Sequence, residues 1–229
     1  MRFRVAEAEK CFREMFNSQA EQTNLPDEVD PNAPRILFQD NHKSLFLTQV
    51  ACQLNLAFNR DLEKPIEEQF EIIAKNIAET HARLVRFKSL VELAESAIVL
   101  TINAPANSTK QEMHDYVYNR FFKTTPLGDI ASVGFKIGYK TDDGLFMNVE
   151  TNVYELRIAN FAGPISGHAT INVNEVPVSE EGFVVKLDVN NKPSVSVPNY
   201  VSTGPSVIVD RARQFLHVEL GELMGFDVA

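Results

Sequence analysis

The sequence predicts an α+β protein in which antiparallel sheets, a hairpin and a four-strand meander, pack against amphipathic helices. Three observations support this fold class. Short segments with alternating apolar and polar residues, typical of half-buried strands, fill the stretch from Asp129 to Asn191. Residues 35–58 alternate in the same way. Apolar stripes with helical spacing occur in residues 65–86 and 205–224.

The chain begins with a predicted helix and a linker. The helix covers Phe3 to Ala20, and residues near one of its faces are apolar: Ala8, Phe12, Met15 and Phe16. Residues 21–34 are polar and contain three prolines, which is typical of a linker. We therefore predict that residues 1–22 form an N-terminal helix or arm, which docks either on this chain or on another.

Residues 35–123 are predicted to form an N-terminal α+β half. A short strand at 35–39, a turn and a long alternating strand ending near Phe58 form the predicted hairpin. Pro65 opens the strongest helix, at the position where proline is favoured. Another strand follows from Ala97 to Ile102. Ser108, with Gln111 three residues later, fits a capping box for a helix that ends near Phe122.

Residues 129–229 are predicted to form a C-terminal half with four strands and a helix. The predicted strands cover residues 130–140, 145–159, 168–176 and 182–189. Asp143-Gly144 lies between the first two strands and favours a tight hairpin turn. The closing helix is predicted over 205–224. The sequence leaves open whether the two halves share one core.

Composition argues against several classes of function. The net charge is −9 without any cluster of Lys and Arg, which disfavours nucleic-acid binding. No apolar run approaches the length of about 18 residues that a membrane-spanning helix needs, and the first residues lack a signal-peptide core. We therefore expect a cytoplasmic location. Cys11 and Cys52 are the only cysteines, and their spacing indicates neither a zinc site nor a disulfide framework.

The search for catalytic chemistry yields no predicted catalytic residue, no cofactor and no metal ligand. The five histidines have no metal-ligand spacing. Ser166 lies in Gly163-Pro-Ile-Ser-Gly167, which has the wrong order for the strained serine turn of hydrolases and is predicted to be a turn. An enzyme would need a site assembled from distant residues, with His114 and His168 as candidates.

Phenylalanine is frequent, with 16 residues against 5 Tyr and no Trp. Most of these side chains lie on predicted apolar faces and are expected in the core. Some could instead form an exposed patch that contacts another protein. The candidate partner-contact residues are Phe12 and Phe16 on the first helix, and Phe121, Phe122 and Phe161 at the ends of predicted elements.

Several strands resemble those of a known group of proteins. Residues 34–40, 45–58, 153–158 and 182–190 resemble the strands of an uncharacterised, sporadically distributed bacterial protein family. Separately, four meandering strands followed by a helix are similar in order to the SecB chaperone fold. Neither resemblance assigns a function to any residue.

Three hypotheses of function follow. The first is a non-enzymatic protein-binding protein that acts by stoichiometric contact, as an antitoxin, an immunity-type inhibitor or a subunit of a bacterial defence complex. Its partner is another protein or a second copy in a homo-oligomer, and strand edges are its expected contact surfaces. The second is a SecB-like holdase chaperone. The third is the enzyme with a site that the sequence does not reveal.

Overall fold

The computed structural model describes residues 5–23, 26, 30–58, 64–87, 95–159, 172–195, 197 and 204–226. These residues contain helices and two antiparallel four-stranded sheets, which confirms the predicted α+β class. The chain divides into two compact units. The first comprises Met1–Ala94 and Thr203–Val209 with Ala229, and the second comprises Glu95–Ser202 and Asp210–Val228.

The first unit combines one helical layer with a sheet in strand order β1-β2-β3-β4. Helix α1 continues into a 3-10 turn at Arg13–Met15, and the long helix α2 follows the sheet. The bounds are α1 Val5–Phe12, β1 Glu21–Gln22, β2 Ile36–Asp40, β3 Lys43–Leu47, β4 Cys52–Leu56 and α2 Ile66–Phe87.

The predicted long strand that ends near Phe58 is wrong in one respect, because a turn divides it into β3 and β4. Thr48 explains the turn. Its N–H donates to the Ala51 carbonyl at 2.9 Å, and its Oγ1 accepts from the N–H groups of Val50 and Ala51 at 3.1 and 2.8 Å. Because the threonine hydroxyl accepts hydrogen bonds from two backbone N–H groups, the chain can turn here without leaving these donors unsatisfied, and the strand ends. The predicted hairpin is therefore a three-stranded meander, with β1 added at its edge.

The N-terminal helix packs on its own chain. Phe12 and Phe16 lie in the core of the first unit, and their rings lie 6.1 and 5.5 Å from the ring of Phe38. Arg83 of α2 donates to the Cys11 carbonyl at 2.6 Å and forms ion pairs with Glu79 and Glu14. Burial lowers the pKa of Arg83, but these two carboxylates more than offset it, so the pKa is raised. Of our two alternatives for this arm, docking on this chain is the one observed.

The second unit contains a sheet in the order β5-β8-β7-β6 with helices on one face. Helix α3 packs against β6, β7 and β8. The bounds are β5 Ala97–Pro105, α3 Lys110–Phe121, β6 Gly134–Lys140, β7 Phe146–Arg157, β8 Val178–Asn190 and a short helix α4 Lys192–Val195.

The four strands of this sheet are not the four predicted to form a meander. The predicted strand 168–176 lies partly outside the described residues, and Val173–Glu175 form a 3-10 helix. The prediction places strand 168–176 beside the strand that became β8. In the structure β5 lies there, and it pairs with β8 from Ala97↔Asn190 to Pro105↔Gly182. For the same reason the division between the units falls at Glu95, and not near residues 124–129. A pairing between strands so distant in sequence cannot be inferred from local patterns.

The C-terminal helix is confirmed over the predicted range, and it contains a π-helical insertion. Its segments are α5 Pro205–Gln214, a π segment Phe215–Glu219 and α6 Leu220–Met224. Arg211 and Glu219 form a 2.7 Å ion pair across the insertion. Gly225 ends the helix with a positive φ of 76°. Arg120 of α3 donates to the last carbonyls, those of Glu222 and Leu223, at 2.6 Å each, which satisfies acceptors that a helix end leaves open.

Replacing Phe12 tests whether α1 is part of the core. Phe12→Ala should lower the free energy of unfolding by about 3–5 kcal/mol, the usual loss for a buried phenylalanine. Urea unfolding monitored by circular dichroism measures the change. Lys10→Ala on the exposed face of the same helix is the control and should change it by less than about 0.5 kcal/mol. Equal effects of the two variants would contradict the packing of α1.

Candidate functional site

The structure separates the five predicted contact residues. Phe12 and Phe16 are buried in the first unit and are not on a surface. Phe161 lies outside the described residues. Phe121 and Phe122 lie at the end of α3 in the second unit, where Phe121 is half-buried and Phe122 is exposed. Of the four that the structure describes, Phe121 and Phe122 are therefore the candidates for contact with another molecule.

Phe121 packs on strand β6. Its ring centroid lies 3.9 Å from that of Phe135, the second residue of the strand. Ile137 and Tyr139 follow on the same face of β6, since successive side chains of a strand alternate between faces. We call these four residues, Phe121, Phe135, Ile137 and Tyr139, the β6 edge surface. Phe122 is adjacent in sequence and stacks on Tyr118 instead.

On the packed face of this sheet, the side chains are buried from β5 to β7 and become exposed at β6. One row across the packed face runs Leu100, Leu187, Val149, Ile137. The first three are at most 8% exposed, whereas Ile137 is 38% exposed. The opposite edge strand β5 is therefore covered on this face, while β6 is not.

A second row repeats this gradient. Ile98, Val189 and Met147 are buried, and Tyr139 at the end of the row is 38% exposed. The apolar layer of the sheet thus continues one strand beyond its cover. Apolar side chains exposed together in this way are typical of a contact surface.

The outer backbone edge of β6 is open, since no strand within the described residues pairs with it. The hairpin shows which backbone groups point outward. Thr141 donates its N–H to the Leu145 carbonyl at 2.9 Å. Because hydrogen-bonded pairs alternate along an antiparallel ladder, Tyr139, Ile137 and Phe135 also bond to β7. The N–H and C=O groups of Lys136 and Gly138 therefore point to the open edge.

The other face of β6 contains two glycines beneath side chains of β7. Over Gly138, a ring carbon of Phe146 and Oδ1 of Asn148 lie 3.0 and 3.1 Å from where a Cβ would be, and Asn152 Oδ1 occupies the corresponding space at Gly134. Both amides are oriented by carboxylates. Asn148 Nδ2 donates to Asp188 at 3.4 Å, and Asn152 Nδ2 donates to Glu150 at 3.2 Å.

Lysines alternate with these glycines along the strand. Lys136 Nζ lies 3.6 Å from Glu150 Oε2 on the neighbouring strand β7, and Lys140 is the last residue of β6. Lysine on an edge strand is a common device against uncontrolled pairing, because two edges cannot meet with their ammonium groups opposed. The lysines therefore limit which strand can be added here.

Of the two candidate histidines for an enzyme, one lies in the described part of the chain. His114 is buried on α3, while Ser166 and His168 lie outside the described residues. Asp143 accepts a hydrogen bond from the Thr141 hydroxyl, so it serves the hairpin turn. Where the structure describes the chain, no group of three or more His, Cys, Asp and Glu is placed to hold a metal ion.

The two cysteines pack against the core of the first unit and are not disulfide-bonded. Burial raises the pKa of Cys52 from 9.0 to about 12. Because the thiolate is the nucleophile, a thiol that remains protonated is unreactive at neutral pH. Cys52 is therefore a packing residue.

Alkylation of Cys52 tests this assignment. At about pH 8, iodoacetamide should leave Cys52 unmodified in the folded protein and should modify it within minutes in denaturant, as measured by peptide mass spectrometry. The raised pKa also means that its contribution to stability is complete below pH 9.0 and is lost as the pH rises towards about 12. Rapid alkylation of Cys52 in the native state would contradict its protonated, buried form.

Comparison with known proteins adds no relative. No protein-family model matches this chain, and no curated protein and no solved structure matches it. No helix in the described residues has the length and apolar character required to cross a bilayer. Evidence on function therefore comes from the chain's own geometry.

Most of the β6 edge surface is not predicted by the sequence patterns. Phe121 is a predicted contact residue, whereas the patterns predict only a strand for Phe135, Ile137 and Tyr139. A signal was present in Gly134-Phe-Lys-Ile-Gly-Tyr-Lys140, where aromatic and aliphatic residues alternate with lysine and glycine. Lysine and glycine are depleted within paired central strands, so this pattern is typical of an edge.

Proposed function

We propose that the protein acts by stoichiometric, non-catalytic contact with another protein, and that β6 is the contact strand. The observation that carries this proposal is the change in exposure between β7 and β6. Val149 is 1% exposed, and its neighbour Ile137 is 38% exposed. A partner that covers Ile137 and Tyr139 would remove apolar area from water, which stabilises a complex.

The mode of binding supported by this geometry is addition of a strand. The outward N–H and C=O groups of Lys136 and Gly138 match an antiparallel or parallel extended segment of a partner. Each such backbone hydrogen bond contributes about 0.5–1.5 kcal/mol. The backbone bonds would hold the segment, and the β6 edge surface would select apolar side chains on one of its faces.

A binding protein of this kind fits an antitoxin, an immunity-type inhibitor or a subunit of a defence complex. Each acts by occupying a surface of one partner at a fixed stoichiometry. The support for this class of function is the open edge of β6, with which no strand of the described residues pairs.

A holdase is the second candidate, and one observation favours it. Phe122 and Leu127 are exposed near the β6 edge surface in sequence, and exposed apolar side chains can hold unfolded chains. The order of the second sheet does not support the similarity to SecB, because β5 takes the place of a meander strand. A holdase would bind many unfolded proteins at low stoichiometry, and a dedicated binding protein would not.

A proline at position 136 tests strand addition. Lys136→Pro removes an N–H that points to the open edge while leaving the hairpin bonds to β7 intact. We expect it to weaken capture of the partner by about tenfold or more, since a donor is lost and the ring blocks approach. The measurement is a tagged pull-down from the native host, quantified by mass spectrometry.

Lys136→Ala is the matched control. It removes the same side chain and its ion pair with Glu150 but keeps the backbone N–H. It should capture the partner almost as well as the unaltered chain, since exposed ion pairs contribute little. Equal capture by the proline and alanine variants would overturn strand addition at β6. A spread of unfolded clients at low stoichiometry would favour the holdase.

A further inference from the structure

Strand β6 is complementary to itself. When two copies are aligned antiparallel about Ile137, that residue lies opposite its own equivalent, and all seven residues from Gly134 to Lys140 find a partner. Phe135 lies opposite Tyr139 of the second copy. Each apolar residue then meets an apolar residue, and such cross-strand pairs stabilise a sheet.

The same alignment keeps the lysines apart. Lys136 lies opposite Gly138 of the second copy, and Lys140 lies opposite Gly134 of the second copy. Alignment about Lys136 would place this lysine opposite itself, and alignment about Gly138 would place Lys136 opposite Lys140. Like charges directly opposite are destabilising. Of the three alignments centred on a residue from Lys136 to Gly138, only the one about Ile137 avoids opposed lysines.

The backbone groups agree with this alignment. Lys136 and Gly138 are the residues whose N–H and C=O groups point to the open edge. In the alignment about Ile137 they lie opposite each other, so they can exchange hydrogen bonds. Ile137 then forms a non-hydrogen-bonded pair on the two-fold axis, where side chains of facing strands are closest.

The polar face supplies charge complementarity. Asn148 and Asn152 direct their Oδ1 atoms over Gly138 and Gly134, beside which the lysines of a second copy would lie, and the Phe146 ring next to Asn148 can contact a lysine stem. The amide groups of these asparagines donate to Asp188 and Glu150, so their oxygens remain available as acceptors next to negative charge. An ammonium group carries three donors and no acceptor, so it suits this position.

We propose that in the free protein, before another partner binds, the occupant of the β6 edge is β6 of a second copy of this chain, paired antiparallel about Ile137. This inference rests on the proposed function in one respect: β6 must accept an added strand. The sheets of the second units of the two copies then form one continuous sheet of eight strands. Phe121 packs beside Tyr139 of the second copy. The interface is a small isologous one, so the dimer dissociates on dilution.

Disulfide formation by Ile137→Cys tests the alignment. On the two-fold axis the facing Cα atoms are about 4.5 Å apart, within the range of about 4.4–6.8 Å that a disulfide needs. We expect mild oxidation to convert most of this variant to a species of twice the chain mass, as measured by non-reducing electrophoresis and mass spectrometry. The unaltered chain provides the background from Cys11 and Cys52.

Phe135→Cys is the matched control for alignment. In the proposed pair, its equivalents are separated by four residues along the strands, or about 13 Å, too far for a disulfide. Cross-linking of Ile137→Cys alone supports the proposal. Equal cross-linking of both variants, or of neither, would overturn it.

Sedimentation over a range of concentrations tests the interface without cysteines. The unaltered chain should change from monomer to dimer as concentration rises. Ile137→Glu should raise the dissociation constant at least about tenfold, because two carboxylates would face each other on the axis. Val99 lies on the other edge strand, β5, and is 54% exposed. Val99→Glu should therefore leave the dissociation constant of the dimer unchanged.

The outcomes separate this inference from the proposed function. A chain that remains monomeric at all concentrations, yet loses its partner with Lys136→Pro, would overturn the dimer and leave strand addition to a different protein. A dimer that Ile137→Glu does not weaken would also overturn the pairing about Ile137. A monomer whose partner binding is insensitive to Lys136→Pro would contradict both proposals.

Discussion

The second unit depends on the position of β8 between β5 and β7. Pairing on both sides places Val185, Leu187 and Val189 at the centre of the packed face, where they are fully buried. Among the described strands, β6 pairs only with β7, and it lies at the limit of the helical cover, where Phe121 of α3 packs on Phe135. Its apolar residues continue the buried rows, but their exposure remains high. The candidate contact surface is therefore a consequence of strand order, since the same residues in a central strand would be core.

Much of the fold follows from local patterns, and the failures have local or topological causes. The Asp143-Gly144 pair predicts a hairpin turn, because glycine readily adopts the positive φ that such turns require. The structure confirms the turn, and Gly144 has a φ of 81°. The capping box was predicted one residue early. Thr109 and Glu112 form it, and the N–H and hydroxyl of Thr109 lower the pKa of Glu112. Ser108 with Gln111 has the same spacing but lacks the charge that a helix N-terminus favours.

The candidate site was less predictable than the fold, because exposure depends on which strands are neighbours. Phe12, Phe16 and Phe121 look alike in sequence, since each is a phenylalanine within a predicted helix. The first two are covered by β2 and β3 of the same unit, while Phe121 packs on an edge strand. Within the described residues β6 is an edge because it pairs only with β7, and the pairing of β5 with β8 makes β5 the opposite edge. That pairing joins segments about 80 residues apart and leaves no local signal.

The central claim is that the outer edge of β6 is a contact strand. The most direct test is amide hydrogen exchange of the individual residues of β6, measured by NMR at several protein concentrations. The account predicts that the amides of Phe135, Ile137 and Tyr139, which bond to β7, exchange slowly at every concentration. The amides of Lys136 and Gly138 should exchange rapidly in dilute protein and become protected as a second strand pairs with them. If these two amides exchange rapidly at every concentration, and also when a captured partner is bound, β6 is not a contact strand.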